Sequence, residues 1–154
     1  MKSHAEAIAI LTGKRAPAVP AKGKRAKKRV KPVEYVAFVS TSHSVQIPVM
    51  TISEANQREH WGRKHARKKR QQSTIRLCLS RVRAPALPCT VTITRIAPGT
   101  KEDADNNVAA IKHAQDSLKT WLGADDGDPR ITWVYAPQEQ DGQRYGIRIS
   151  WSSP

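Results

Sequence analysis

The chain is poor in cysteine, in aromatic residues and in long apolar runs, and each shortage removes a class of protein. Its two cysteines, Cys78 and Cys89, are too few for a disulfide framework and lack the Cys-x-x-Cys spacing of a zinc site, so reduced thiols are expected. One Phe, three Tyr and four Trp among 154 residues leave a modest core, enough for one small domain on the Val/Ile/Leu runs that begin at Tyr35. No apolar run approaches the roughly 18 residues of a membrane span. The short apolar stretch at residues 5–11 contains Glu6 and lacks the pattern of a signal peptide. The sequence therefore reads as a soluble, cytoplasmic protein. A phosphate-binding glycine loop, a dinucleotide fingerprint and a Gly-x-Ser-x-Gly elbow are all missing, so nothing points to nucleotide-cofactor or serine-hydrolase chemistry.

Acidic residues are scarce in the first two thirds. Residues 1–101 hold 22 Lys and Arg against 4 acids, whereas residues 102–154 hold 5 against 9, within a net charge of +14. Seven of the 13 carboxylates (Glu102, Asp103, Asp105, Asp116, Asp125, Asp126 and Asp128) fall in one stretch of 27 residues. A strongly basic protein favours polyanions, and carboxylates near a phosphate backbone repel it unless a divalent cation lies between them. The division points to a metal-dependent enzyme acting on nucleic acid.

Residues 1–32 are expected to form a disordered basic arm, and residues 33–154 the folded domain. The arm, with GKRAPAVPAKGKRAKKRVKP at residues 13–32, has no apolar period that could build a core. It is either an electrostatic tether to nucleic acid or a solvated linker. Residues 35–40 and 44–50 read as two strands of a hairpin, with Pro48 marking an edge or an end. Thr51-Ile-Ser-Glu54 fits a capping box and predicts a helix, interrupted near Gly62, that runs toward Pro85. That helix is very basic, and Arg58, Arg63, Lys64, Arg67, Lys68, Lys69 and Arg70 are candidate DNA contacts. Ile75, Leu77, Leu79 and Val82 are expected to supply its apolar face. Residues 89–97 alternate Thr with Val and Ile, the clearest strand pattern in the chain. Residues 105–122 predict an amphipathic helix stopped by Gly123, and residues 130–136 and 144–151 two further strands joined by the polar loop PQEQDGQ. The expected fold class is α+β, a small mixed sheet with two main helices.

The carboxylates Asp103 and Asp105 stand two residues apart where the Thr-rich strand gives way to this helix, and Asp125 and Asp126 follow it. Such hard oxygen donors suit Mg²⁺, with Mn²⁺ as the alternative ion, and no convincing soft ligand set competes. Asp105, Lys112 and Asp116 fall on one line beside the apolar stripe, and Lys112 and Asp116 are spaced to pair. The competing reading is structural, because acids are also favoured at helix N-termini and Asp125-Asp-Gly-Asp-Pro129 also suits an ordinary turn. His60 and His65 have no third ligand for zinc.

Asp103-Ala-Asp105-Asn106, then Lys112-x-x-x-Asp116-x-Leu118, then Asp125-Asp126 before a strand, resembles the RusA-like Holliday junction resolvases, small Mg²⁺-dependent endonucleases common in phages and prophages. The resemblance spans residue 45 to about residue 151 and is most specific over residues 103–131. It implies metal binding by Asp103, Asp105 and Asp126, with Asp125 beside them, and a catalytic role for Lys112. It also implies a homodimer that nicks four-way DNA junctions in a bacterial host cell. One departure stands out: Lys112 follows Asp105 by seven residues where the family pattern has four. Both spacings return to nearly the same helix face, with the amine moved by about 4.5 Å along the axis. The alternative from another class is a non-catalytic, basic DNA-binding accessory protein whose acidic cluster is structural or degenerate.

Overall fold

The apolar alternation of four chain segments decides the architecture, because each buries one side of a strand against the same two helices. The computed structural model describes residues 32–53 and 58–154. The arm expected at residues 1–32 lies, save for Pro32, outside them, as does Glu54 of the capping box. The described elements are β1 (Glu34–Tyr35), β2 (Val39–Ser40), β3 (Ser44–Ile47), α1 (Trp61–Leu79), β4 (Cys89–Ile96), α2 (Ala104–Leu122), β5 (Ile131–Glu139) and β6 (Arg144–Ser152). The sheet runs β2-β3-β6-β4-β5, with β1 added in parallel at the start of β6. β4 and β5 are parallel and joined through α2, while β6 lies antiparallel to β4 and β3, so the sheet is mixed. The class is α+β, as the sequence predicts.

Val45, Ile47, Val91, Ile93, Ile147 and Ile149 are fully buried and meet Ile75 and Leu79 of α1 and Ile111 and Leu118 of α2 in one core. The alternate residues Thr92, Arg148 and Ser150 are only half-buried, which leaves that side of the sheet more open. Burial of the inward row supplies most of the driving force, about 25 cal/mol per Å² of apolar surface. Gly146 is required by close approach, since a Cβ there would overlap the Val36 side chain. Trp121 of α2 donates its indole N–H to the Val82 carbonyl at 2.8 Å and stacks edge-on against Trp151, tying the end of α2 to the loop after α1.

Four expectations change. Residues 35–40 do not make one strand: β1 pairs with β6, and only β2 forms the hairpin with β3, across a turn in which Thr41 accepts from the Ser44 amide. The basic helix begins at Trp61, where the His60 ring accepts the Gly62 N–H, and not at Thr51. Thr51 is buried because its hydroxyl and carbonyl both accept from Arg95, a tertiary demand that overrides the local capping pattern. Leu77 is 65% exposed rather than part of the apolar face, since Ile75 and Leu79 are the side chains of that turn buried in the core and Cys78 packs beside them. β5 continues to Glu139, so the polar loop before β6 is shorter than PQEQDGQ.

Candidate functional site

The loop between β4 and α2 is held from beneath by a buried arginine. Arg95 interrupts the Thr/Val/Ile alternation near the end of β4 and is 5% exposed. Its guanidinium donates to Thr51 Oγ1 and Thr51 O at 3.1 Å each and to Gln138 Oε1 at 3.2 Å, and its Nη1 lies 2.7 Å from the Glu102 carboxylate. No donor is aligned on that carboxylate oxygen, so the Glu102 contact acts as a charge pair rather than a directed hydrogen bond. Gln138, also buried, donates to Ala97 O at 3.2 Å and accepts the Glu102 amide at 3.4 Å. A buried guanidinium without its partners is costly, so this network fixes the loop, and Glu102 is spent on Arg95.

From this frame the chain enters α2. Asp103 occupies the N-cap position but its side chain makes no capping hydrogen bond, and Asp105 sits in the first turn. Both are exposed and neither makes an ion pair among the described residues. The first turn is anchored instead by the two asparagines: Asn106 Oδ1 accepts from Ser53 at 3.3 Å, and Asn107 donates to Ala136 O at 2.9 Å from a buried position. Two carboxylates are thus carried on a backbone that other groups fix, with no ion pair of their own among the described residues. That weakens the reading in which Asp103 is there only to cap a helix.

The other candidates lie elsewhere along α2. Lys112 is exposed two turns on from Asp105, with no ion pair among the described residues. The expected Lys112–Asp116 pair does not form, because Asp116 meets Lys68 of α1 at 3.5 Å. α2 ends at Gly123, whose left-handed φ of 67° closes the helix. Beyond it Lys119 holds Asp126 at 2.8 Å and Asp125 at 3.4 Å. The Asp126 carboxyl is lowered chiefly by its hydrogen bond from Lys119, and the Lys119 amine is raised by the same bond. Asp125 Oδ1 also accepts the Asp126 amide, and Asp128 accepts from the amide and guanidinium of Arg130, which holds its carboxyl at about 2.

The structure therefore places Asp103 and Asp105 at the start of α2 and Asp125 and Asp126 beyond its end, and does not bring the two pairs together. They stand at opposite ends of a helix of 19 residues, about 28 Å at 1.5 Å per residue. Mg²⁺ binds its ligands at about 2.1 Å, so Asp126 cannot share an ion with Asp103 and Asp105 of its own chain. Among the described residues no three His, Cys, Asp or Glu side chains gather to hold a metal.

The candidate DNA contacts lie before and along the first part of α1. Arg58, Arg63, Lys64, Lys69 and Arg70 are exposed. Arg67 is half-buried against Glu59, and Lys68 is half-buried against Asp116. The contacts Ser53–Asn106 and Lys68–Asp116 set this basic segment beside α2, on the side that carries Asp105 and Lys112. Arg95, Gln138 and Asn107 escaped the sequence reading, although Arg95 left one trace there, a charge near the end of a buried strand. Among the described residues no helix is long and apolar enough to cross a membrane. The chain matches no protein-family model and no curated protein.

Proposed function

We propose that the protein is a Mg²⁺-dependent endonuclease of branched DNA, of the Holliday junction resolving kind, working as a homodimer. The observation that carries this reading is the pair Asp103 and Asp105, without cationic partners among the described residues, on a frame fixed by buried Arg95 and beside a strongly basic helix. These two carboxylates would hold the ion, since Mg²⁺ commonly takes one or two carboxylates and completes its shell with water and substrate phosphate. Bound there, Mg²⁺ would supply Lewis-acid stabilisation of charge on the scissile phosphate. The chain's own residues orient the strand: the exposed cations of α1 hold the backbone, and Lys112 places positive charge near the leaving group.

The third carboxylate implied by the resemblance, Asp126, reaches such an ion only from a second copy. β5 supports this arrangement, being the outermost strand on its side of the described sheet, with Val134 exposed. Two copies paired antiparallel along β5 would set the start of one α2 against the end of the other. The engagement of Asp125 and Asp126 with Lys119 favours the rival reading, a DNA-binding protein without turnover.

The deciding experiment is cleavage of a labelled four-way junction and a matched linear duplex, in Mg²⁺ and in EDTA. Paired nicks on the junction, lost in EDTA and reduced at least about 100-fold in Asp105→Asn with binding retained, are the expected result. Tight binding with no cleavage under any divalent ion would leave the accessory-binder reading in its place.

A further inference from the structure

A concave site of about 490 Å³ lies between α1 and the chain that leaves β3, and its lining includes none of the candidate aspartates. Arg63, Arg67 and Arg70 line one wall, at steps of four and three residues that keep them on one face of α1. Glu59 is committed to Arg67, which leaves the guanidiniums of Arg63 and Arg70 exposed at the rim. Pro48, Val49 and Met50 give the lining an apolar part, and Tyr35, 46% exposed, completes it with an aromatic ring. The volume falls within the roughly 300–1,000 Å³ of small-ligand pockets.

The lining has two chemistries that one ligand must satisfy together. Guanidiniums fit phosphate oxygens. An apolar lining with an open aromatic ring has no partner in the backbone of a duplex, whose bases are stacked and paired, but it matches the face of a base that has left the stack. The chain's own residues 13–32 are too basic to be the occupant. We propose that this cavity takes one unpaired nucleotide of a DNA strand, its phosphate on Arg63 and Arg70 and its base against Tyr35. The inference rests on the DNA-acting function proposed above and narrows its substrate: the branched DNA is recognised in part by a nucleotide freed from pairing at or near the branch.

The test uses the full-length protein with 5-iododeoxyuridine placed in the single-stranded overhang of a duplex oligonucleotide, or at a paired position as control. Irradiation should join the overhang base to Tyr35, located by peptide mass, and the paired base should give no such product. Tyr35→Ala should weaken binding of a short single-stranded oligonucleotide by about 5- to 100-fold more than it weakens a duplex of equal length. Tyr35→Phe should restore it, which separates stacking from a folding defect. Cross-links that map elsewhere, or equal losses on single-stranded and duplex DNA, would overturn the cavity's assignment while leaving the nuclease reading intact. Absence of any DNA binding by the wild-type protein would remove both.

Discussion

At the start of α2, Asp103 and Asp105 are exposed and without cations among the described residues, whereas at its end Asp125 and Asp126 are held by Lys119 and Asp128 by Arg130. The same side chain does opposite things at the two ends. Beyond the C-terminus the carboxylates hold the turn: Asp125 caps the next amide and Asp128 fixes Arg130 at the entry to β5. Before the N-terminus the turn is held by other groups, chiefly buried Arg95 and Gln138, so the carboxylates carry no structural duty that the structure records. It is this end of α2 that the proposed Mg²⁺ site would use.

This contrast can be broken by removing each frame in turn. The largest expected effect on stability comes from Arg95→Ala, which strips the buried network beneath the first pair and leaves Glu102, Gln138 and Thr51 without their common partner. Stability should fall by about 3 kcal/mol, measured by urea unfolding, and Mg²⁺-dependent cleavage should fall with it as the loop loses its fixed position. An unchanged unfolding midpoint would show that the carboxylates do not depend on this frame.

At the other end the expected effect is small and depends on pH. The Asp128 carboxyl is held at about 2, below its ordinary value, chiefly by the hydrogen bond from Arg130. A carboxyl depressed in the folded state adds stability above its unfolded pKa and loses it as the pH falls through the folded one. Asp128→Asn should therefore lower the thermal midpoint slightly at neutral pH, and the difference should close between about pH 4 and pH 2. A difference that persists at pH 2 would mean that Asp128 acts by shape and not by charge.

Much of this contrast was legible in the amino-acid order, and the rest was not for physical reasons. The α2 helix shows itself through local signals, an apolar stripe at Ile111, Leu118 and Leu122 and a glycine stop at Gly123, so its limits agree with the structure. The Thr-rich β4 shows itself by alternation. The distance between the two acidic ends follows from helix length, since 19 residues of α-helix cannot fold Asp126 back onto Asp105. The Arg95 frame could not be read this way, because Thr51 and Gln138 lie 44 and 43 residues from it in sequence. The same contact hid the true start of α1, since Thr51 looks like a helix cap only while Arg95 is out of view. The division of residues 35–40 between β1 and β2 likewise depends on where β6 runs.

In the proposed dimer the two ends of α2 serve one site, supplied by two copies. The most direct measurement mixes Asp105→Asn with Asp126→Asn, each inactive alone, allows subunits to exchange, and assays junction cleavage in Mg²⁺. Shared sites predict that activity returns to about a quarter of the wild-type level, because random exchange into symmetric dimers restores one intact site in half of them. A mixture that stays inactive while the wild-type dimer cleaves would contradict the shared site.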